Sequence, residues 1–586
     1  MKLWNYSGIR NRTGQYLQKC RMRTFNLMAM SPSKLCVLQG ISGFVCKTEK
    51  GNRSTFSPIS PRPVSGSWIF FTASFLIIVL LSFPPTSQAA SPEVIHSLTA
   101  KLESWDVEEA WSMVKDPLAR EPKNTQLLEL ASQVAFHRGE YQEALNLMKR
   151  AIEAGGEEEK RKAFVHFMEE TIGVVAPFKK YESPHFRIAL DERQDGFLSG
   201  YILDALERTY QLMAQQYGFT PREKIRVEIF PDTRAFYYAS TLSARDIEIG
   251  AVGLANFNKL MVLSPAALVH GYRWLDAISH EYMHYLIVKM TANKAPIWFH
   301  EGLAKHEETR WRKGPSYLSS LYQSLLAHAL AEEKLIPFGR MEPSLIKLET
   351  ADEVQLGYAQ AASALEFIIT RAGHEGLKEI MNRMATKTER AASESIKDVM
   401  GLPFEEFEGQ WKEFLEAKGL KGMSEMHARR YKIKEGKADE ERMDLEEIKS
   451  LVSRNRAHLA DLLKERGRTE AAVLEYRRAL AGNPESVPIL NRLSSALMGM
   501  GRDGEALEFL NRARVIHPDH PTTYTYLGQV YLKLKDLEKA KGAFSESIQI
   551  NPFNPEVHQG LAQAHEMLGE KAAALKEREI AGRLRR

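Results

Sequence analysis

The sequence predicts an α+β domain, a small sheet plus helices, with all-α segments on both sides of it. Segments between residues 183 and 265 alternate apolar and polar residues as half-buried strands do, whereas the regions on either side look helical. The C-terminal part also repeats every 34 residues. We expect five regions: an N-terminal extension at 1–90, a helical segment at 91–174, the α+β domain at 175–420, a charged linker at 421–443 and a helical array at 444–586.

The N-terminal extension contains an apolar run at residues 68–83, which small residues follow up to Ala90. This is the layout of a secretory signal peptide, and the run is shorter than the roughly 20 residues of a spanning helix. We therefore expect cleavage near Ala89 or Ala90 and export to the periplasm or the cell exterior. An uncleaved membrane anchor through residues 68–83 is the alternative. A translation start nearer the run would explain the long segment upstream.

Charge and cysteine content exclude several kinds of protein. The formal charge is +4, but residues 1–90 carry +10, which leaves −6 for the rest, so the mildly basic balance gives no indication of nucleic-acid binding. All three cysteines, Cys20, Cys36 and Cys46, precede the apolar run. After cleavage no disulfide or thiolate zinc site would be available, and any metal would use histidine, carboxylate or water.

The segment at 91–174 is charged and helical in pattern. Within it, residues 127–154 resemble one tetratricopeptide repeat, because small and aromatic residues occupy its packing positions: Ala131, Gly139, Tyr141, Ala144 and Ala151. A single repeat cannot bury its own apolar face. We expect neighbouring helices at 93–120 and 158–173 to cover it.

The next segment changes from helical to strand character. Alternation at 185–190 and 225–230 predicts two strands, with an amphipathic helix at 201–217 between them. Two further strands are predicted at 250–254 and 259–263, joined by a turn at 256–258.

The most informative segment of the α+β domain is 280–284, which reads H-E-x-x-H. It lies in a helical pattern without proline or glycine, in which Asp276 is the only other charge between 274 and 288. Histidines four residues apart lie on one face of a helix, so His280 and His284 can reach one metal ion. Glu281 lies beside them, where it can take a proton from metal-bound water. Two histidines on a core helix with a surface glutamate are the alternative.

Residues 296–304 read P-x-W-x-x-E-G-x-A, and with the motif they resemble the gluzincin-type, peptidase MA-like metallopeptidases often found beside tetratricopeptide repeats. The resemblance covers about residues 175–420 and implies a zincin-like fold. It implies Zn²⁺ as cofactor, with Glu301, 17 residues after His284, as the third ligand. His300 and His306 are competing ligands. Three protein ligands leave one position open, as in catalytic zinc sites.

The resemblance also implies roles for residues around the metal. Glu281 would be the general base, and an edge strand near 250–263 would bind an extended peptide. Tyr358 would stabilise the oxyanion, with a helix-packing aromatic as the alternative reading and His300 or Tyr282 as weaker candidates. A carboxylate should orient a ligand histidine: Asp276, Glu307 or Glu308. Pro296, Trp298, Gly302 and Ala304 are expected to pack the second helix against the first.

The C-terminal array shows the 34-residue period in three sets of positions: Ala472, Ala506, Ala540 and Ala574; Pro484, Pro518 and Pro552; and Ala479, Ala513, Ser547 and Ala581. This period is typical of tetratricopeptide repeats, which form solenoids that bind peptides or protein partners. A spacer or a dimerisation arm is the alternative.

Two functions follow from these patterns. The first is a zinc-dependent peptidase whose repeats recruit protein substrates or partners. The second is a non-catalytic scaffold that retains the metallopeptidase fold and uses its repeats for assembly. Because Glu281 and all three predicted ligands are present, the sequence favours the enzyme.

Overall fold

The computed structural model describes residues 92–156, 158–240, 242–256, 258–314, 316–387, 391–422, 431–434 and 440–585. The predicted signal segment at 68–83 lies outside these residues. Pro92–Arg586 form one compact unit. Within the described part of the chain, no helix combines the length and the apolar character needed to cross a membrane.

Five helices precede the sheet: α1 (Pro92–Glu103), α2 (Val107–Arg120), α3 (Thr125–His137), α4 (Tyr141–Gly155) and α5 (Glu159–Val175). Helices α3 and α4 form the pair that the sequence predicts for one repeat, with α2 against α3 and α5 against α4. The fully buried Ala131 and Ala144 lie in this pair, where Ser132 Oγ donates to the Ala144 carbonyl at 2.7 Å. Gly139 adopts φ +76° in the turn between α3 and α4, a conformation that favours glycine.

The sheet has five strands, in the order β1-β2-β3-β5-β4, and their bounds are β1 (Phe178–Glu182), β2 (Phe186–Asp191), β3 (Ile225–Phe230), β4 (Gly253–Asn256) and β5 (Lys259–Leu263). The three central strands are parallel, and each edge strand is antiparallel to its neighbour. The sequence did not predict β1, which is an edge strand with mostly exposed polar residues. Strand β4 begins three residues later than predicted.

Ten α-helices of the described residues belong to the α+β domain: α6 (Glu192–Asp195), α7 (Ser199–Tyr217), α8 (Thr233–Ser240), α9 (Ala244–Glu248), α10 (Trp274–Thr291), α11 (Ile297–Glu307), α12 (Ser320–Ala331), α13 (Ala351–Thr386), α14 (Ala391–Met400) and α15 (Phe404–Ala417). Helix α10 is mostly buried and contacts β4, β5, α11 and α13. Helix α13 bends at Gly373, where φ is 69°. The layout is the predicted one of a small sheet with helices.

A short helix, α16 (Glu440–Glu446), leads into eight more: α17 (Leu451–Glu465), α18 (Thr469–Gly482), α19 (Val487–Gly499), α20 (Asp503–Ile516), α21 (Pro521–Lys533), α22 (Leu537–Ile550), α23 (Pro555–Met567) and α24 (Lys571–Leu584). They pack as four successive pairs. The periodic alanines are 0–3 % exposed in the second helix of each pair: Ala472, Ala506, Ala540 and Ala574. Small side chains at these positions allow close packing of the paired helices, as the sequence predicts.

The N-terminal helices join the sheet through a buried ionic cluster. The Tyr141 hydroxyl donates to the Glu228 carboxylate at 2.7 and 2.8 Å, and Lys259 Nζ donates to the same hydroxyl at 2.8 Å. Lys259 and Glu228 lie on neighbouring strands, and their charged groups are 3.6 Å apart. This cluster, the N-terminal junction, connects α4 to β3 and β5.

The C-terminal array packs on the segment that leads into α10. The Tyr272 amide donates to the Ile550 carbonyl at 2.9 Å, and the Trp274 indole donates to the Ile548 carbonyl at 2.9 Å. Gly271, at φ +70°, lies so close to the Ile550 carbonyl that a side chain would overlap it. Arg273 adds ion pairs with Asp519 at 2.6 Å and Glu546 at 2.7 Å. We call these contacts the C-terminal junction.

Part of the predicted charged linker also packs on the domain. The Val269 amide donates to the Lys432 carbonyl at 2.9 Å, and the Lys434 amide donates to the Ala267 carbonyl at 2.8 Å. Residues 431–434 therefore run beside the segment before α10, and they help to position the start of that helix.

Candidate metal centre

Helix α10 positions the two motif histidines. Its first turn is held by Asp276, which is 1 % exposed and accepts hydrogen bonds from Trp311 Nε1 at 3.1 Å and Arg312 Nη2 at 2.6 Å. His280 and His284 lie one turn apart on the same face of this helix, and their ring centroids are 4.8 Å apart. Both side chains are mostly buried, with 13 % and 16 % of their surface exposed.

Helix α11 brings the predicted third ligand to these histidines. Oε2 of Glu301 lies 3.3 Å from Nε2 of His280 and 3.6 Å from Nε2 of His284. The structure thus brings together all three residues that the sequence predicts as ligands. His306 contacts Glu307 instead, at 3.0 Å, and the ring of His300 lies 5.7 Å from that of His284.

The Glu308 carboxylate contacts the other ring nitrogen of His280 and orients that ring. Oε2 of Glu308 lies 3.1 Å from Nδ1 of His280, and Lys305 Nζ donates to the other oxygen of Glu308 at 2.6 Å. Of the three carboxylates considered from sequence, Glu308 therefore fills the position. Glu307 pairs with His306 and Arg310, and Asp276 pairs with Arg312.

The charges around the histidines are strongly coupled. Burial lowers the pKa of His280, but hydrogen bonds with Glu301 and Glu308 outweigh it and raise that pKa to about 10. For Glu301, burial raises the pKa, but the neighbouring His284 and His280 lower it well below its usual range. Burial and the charge of His284 lower the pKa of His300 to about 3, which keeps its ring neutral.

Glu281 lies between the ligand face of α10 and edge strand β4. It is 6 % exposed, and its Oε2 has no hydrogen-bond partner among the described residues. Burial raises the pKa of this carboxyl, although the charges of His284 and His280 and a hydrogen bond from the Ala255 amide lower it. A methyl group on Gly253 would overlap the Glu281 carboxylate. Gly253 was not among the residues predicted for the site, although a glycine inside a strand often marks such a close approach.

Helix α13 carries Tyr358 to the same site. Burial raises its pKa well above the usual range, and the charges of Glu301 and Glu281 add to that effect. The close crossing of α11 and α13 depends on Gly302, because a side chain there would overlap the Ala361 carbonyl. Tyr282, the weaker candidate, packs in the core against Phe186, with ring centroids 5.7 Å apart.

Gly302 and Trp298 were expected to pack the second helix, α11, against the motif helix, α10, and for both residues this prediction was wrong. Gly302 allows α11 to approach α13 rather than α10. Trp298 packs on an aromatic cluster away from α10, with ring centroids 4.8 Å from Phe338, 6.1 Å from Phe404 and 6.3 Å from Phe407. Gly302 and Trp298 therefore pack α11 against α13 and an aromatic cluster of the domain rather than against the motif helix α10.

The donor set fits a zinc ion. Imidazole nitrogen and carboxylate oxygen are the ligands that zinc uses where thiolate is missing. His280, Glu281 and His284 offer ligand atoms within 4.8 Å of one another, so Glu281 is a geometric alternative to Glu301. We prefer Glu301, because one of its oxygens lies between the two Nε2 atoms while Glu281 is hydrogen-bonded towards β4.

Comparison with known proteins identifies three matching regions. Residues 206–417 match the Peptidase MA superfamily, and residues 463–530 and 521–554 match tetratricopeptide repeat families. The first match contains α10, α11 and the part of α13 that carries Tyr358, and hence every residue of the candidate site.

The curated relatives share only short stretches with this chain. An Hsp70-Hsp90 organising protein from Plasmodium falciparum is 30% identical over 97 residues, which are 17% of this chain and 38% of that protein. The CTR9 homolog of Arabidopsis thaliana is 29% identical over 133 residues, 22% of this chain and 12% of that protein. These matches span well under two thirds of either relative.

Among solved structures, a crystal structure of MamA protein is similar at 21% identity, with a TM-score of 0.21, over 22% of this chain and 71% of that one. That likeness is too low to carry any conclusion about this chain. The family matches do carry one: the chain contains a Peptidase MA superfamily domain at residues 206–417, followed by tetratricopeptide repeats within residues 463–554.

Proposed function

We propose that this protein is a zinc-dependent peptidase of zincin-like fold, with His280, His284 and Glu301 as zinc ligands. The observation that carries the proposal is the position of Glu301 Oε2, 3.3 Å from Nε2 of His280 and 3.6 Å from Nε2 of His284. These three donors come from two helices, the motif helix and the second helix that the family resemblance implies. The Peptidase MA superfamily match supports the same assignment.

A bound zinc ion would supply Lewis acidity that activates water and polarises a carbonyl group. Glu281 would then take the proton from the attacking water and pass it to the leaving amine. Its carboxylate is buried beside the two histidines, and the Ala255 amide holds it. Glu308 would keep the His280 ring in position through their 3.1 Å contact.

Substrate would bind along β4. This strand is the last in the sheet order, and among the described strands it pairs with β5 alone. An extended peptide could add to its outer edge by main-chain hydrogen bonds, which would bring a peptide bond beside Glu281. Tyr358, near Glu301 and Glu281, would donate its hydroxyl proton to the developing oxyanion.

The deciding experiment compares peptide-library cleavage and zinc content for the wild type, Glu281→Gln and Glu307→Gln. We expect Glu281→Gln to retain zinc and to lose at least about 10²-fold in hydrolysis rate, because it lacks the proton acceptor. Glu307→Gln is the matched control. It makes the same chemical change in a buried carboxylate that pairs with His306 and Arg310, and it should retain cleavage.

Two results would overturn the assignment. Full zinc content in His280→Ala would mean that the metal ligands lie elsewhere. A wild type that binds zinc but cleaves no peptide or protein would favour the scaffold function instead.

We also propose that the repeats recruit protein substrates or partners. Helix α17 exposes four large apolar side chains: Leu451, Val452, Leu459 and Leu462. Replacing Leu459 and Leu462 with serine should slow cleavage of protein substrates and leave cleavage of short peptides unchanged. An equal effect on both substrate classes would contradict recruitment by this helix.

Export remains a proposal based on the sequence of residues 68–83. Cell fractionation with N-terminal sequencing of the mature chain would test it. A mature N-terminus near residue 90 would support cleavage, whereas an intact apolar run in the membrane fraction would support the anchor.

A further inference from the structure

A second histidine–carboxylate cluster lies at the C-terminal junction, away from the site described above. Nε2 of His270 is 3.3 Å from Oδ1 of Asp444, and Nε2 of His520 is 4.0 Å from the same oxygen. Ligand atoms of these three residues all lie within 4.8 Å of one another. Glu447 adds a second carboxylate, with Oε1 at 3.5 Å from His270 Nε2.

The three residues come from three different parts of the chain. His270 lies in the segment before α10, Asp444 on α16, and His520 directly before α21 in the array. Backbone hydrogen bonds hold the first of these segments on both sides: Val269 to Lys432 at 2.9 Å, and Tyr272 to Ile550 at 2.9 Å. The cluster therefore lies where domain, linker and array meet, on backbone that other contacts already position.

The surroundings orient His520 towards the shared carboxylate. His520 is fully buried, and Asn491 contacts its Nδ1 at 3.4 Å, so its Nε2 faces Asp444. The two imidazole rings lie 5.0 Å apart. Such outer contacts on one ring nitrogen are the usual way in which a protein directs the other nitrogen to a metal.

Another buried histidine in the array shows what an ordinary structural pair looks like. Nδ1 of His558 is 2.6 Å from Glu577 Oε2, and its Nε2 is 2.8 Å from the Pro552 carbonyl. Each of its nitrogens thus has a hydrogen-bond partner of its own. At the second cluster, the Nε2 atoms of two imidazoles lie 3.3 and 4.0 Å from one carboxylate oxygen, Oδ1 of Asp444.

We propose that His270, His520 and Asp444 bind a second divalent cation of the zinc type, with Glu447 as a fourth ligand. Two imidazoles with one or two carboxylates suit zinc. The ion would connect the catalytic domain to the array at a point ten residues before His280 in the sequence. This proposal does not depend on peptidase activity, because its readout is metal content.

Two cationic side chains also lie beside this cluster. Lys432 Nζ lies 3.0 Å from Glu447 Oε1, and Arg492 lies 3.8 Å from Asp444. A cluster of protonated histidines in an ion-pair network is therefore the competing description. The two descriptions differ in one measurable quantity, the number of zinc ions per chain.

The experiment measures zinc per full-length chain by mass spectrometry after saturation and removal of excess metal. We expect two equivalents in the wild type, one in His284→Ala and one in His270→Asn/His520→Asn. His558→Asn is the matched control, because it removes an equally buried imidazole from the array, and it should retain two. A wild type with one equivalent that only His284→Ala removes would overturn the proposal.

A second measurement covers the case in which the double variant does not fold. The His284→Ala protein keeps the junction cluster intact, so X-ray absorption at the zinc edge should show nitrogen and oxygen ligands from two imidazoles and carboxylate. Failure of that protein to retain any zinc would also overturn the second site. Loss of zinc in the double variant but not in His284→Ala would instead refute the first site and leave the second standing.

Discussion

The N-terminal helices and the C-terminal array hold opposite ends of the same helix, α10. At its end, Lys289 donates to Asp106 Oδ1 and the Trp105 carbonyl, both at 2.8 Å. At its start, Arg273 pairs with Asp519 and Glu546, and Trp274 bonds to the Ile548 carbonyl. The helix that carries His280 and His284 is therefore held at both ends by segments outside the α+β domain.

The two junctions use different chemistry. The N-terminal junction concentrates its polar contacts in one buried group, in which Lys259 is 2 % and Glu228 7 % exposed. The C-terminal junction spreads them over several partly exposed ion pairs and backbone hydrogen bonds. Buried charges are costly when one partner is lost, whereas exposed pairs are worth little individually. A single substitution should therefore have its largest effect at the N-terminal junction.

Lys259→Met should give the largest effect. It keeps the volume of the side chain but leaves the Glu228 carboxylate buried without its cation, which should lower the free energy of unfolding by about 3–5 kcal/mol. Urea denaturation of the full chain measures this. A loss below about 1 kcal/mol would remove the contrast between the junctions.

The double variant Lys259→Met/Glu228→Gln is the control for that prediction. It removes both charges and keeps an acceptor for the Tyr141 hydroxyl, so it should recover most of the stability that Lys259→Met loses. If the double variant were as unstable as Lys259→Met, packing rather than the unpaired charge would explain the loss.

Asp195→Asn should give the next largest change in the free energy of unfolding, and the size of this change should depend on pH. Burial raises the pKa of Asp195 to about 7, although Ser264 donates to it at 2.8 Å, and the neighbouring Phe197 packs on Phe553 of the array. Because the folded-state pKa lies above the unfolded one, this group should cost stability as pH rises from about 4 to 7. The full cost, about 2–4 kcal/mol, is present above pH 7.

The readout for Asp195 is the difference in unfolding free energy between Asp195→Asn and wild type at pH 5 and at pH 8. The variant should gain relative to wild type as pH rises, since its amide cannot ionise. A difference that stays constant with pH would mean that the carboxyl does not titrate in this window.

Sequence patterns predict the parts of this molecule that repeat or that lie within one helix. The 34-residue alanine period predicted the helical array, and the four-residue spacing predicted that His280 and His284 lie on one face of α10. The pairing with Glu301 came from a resemblance, and the structure brings its carboxylate to both histidines. Strand β1 was not predicted, because an edge strand with exposed polar residues lacks the alternating apolar pattern.

Contacts between segments that are distant in the sequence produce no local sequence pattern from which they could be predicted. The sequence could not distinguish Glu308 from Glu307 and Asp276, because adjacent helical residues point about 100° apart and only tertiary packing shows which carboxylate reaches His280. Gly302 and Trp298 were given the wrong partner for a similar reason: a small or aromatic residue shows that packing is close, not which helix it faces. His270, Asp444 and His520 belong to no local pattern at all, and only tertiary packing brings them together.

Arg273→Ala should have an intermediate effect at the C-terminal junction. The guanidinium is 19 % exposed and donates to Asp519, Glu546 and the Pro518 carbonyl, so its loss should cost about 1–2 kcal/mol after allowance for solvent screening. Backbone contacts such as Tyr272 to Ile550 should remain. Hydrogen exchange at the start of α10 should therefore accelerate more than exchange at its end, and the reverse order would contradict the assignment of Arg273 to that end.

Lys289→Met should have the smallest effect, about 1 kcal/mol, because its partner Asp106 is 36 % exposed and water screens the pair. The ammonium group also lies in the last turn of α10, where a cation interacts favourably with the helix dipole. Asp106→Asn should cost a similar amount, and a double-mutant cycle should give a coupling energy of about 1 kcal/mol or less.

Although burial raises the pKa of Asp106, the hydrogen bond from Lys289 lowers it below its usual value, so the coupling should disappear as pH falls below 4. If Lys289→Met lowered the free energy of unfolding more than Arg273→Ala does, the contacts at the C-terminal end of α10 would stabilise this helix more than those at its start. The N-terminal helices, through Lys289 as well as Lys259, would then be the dominant support of the motif helix.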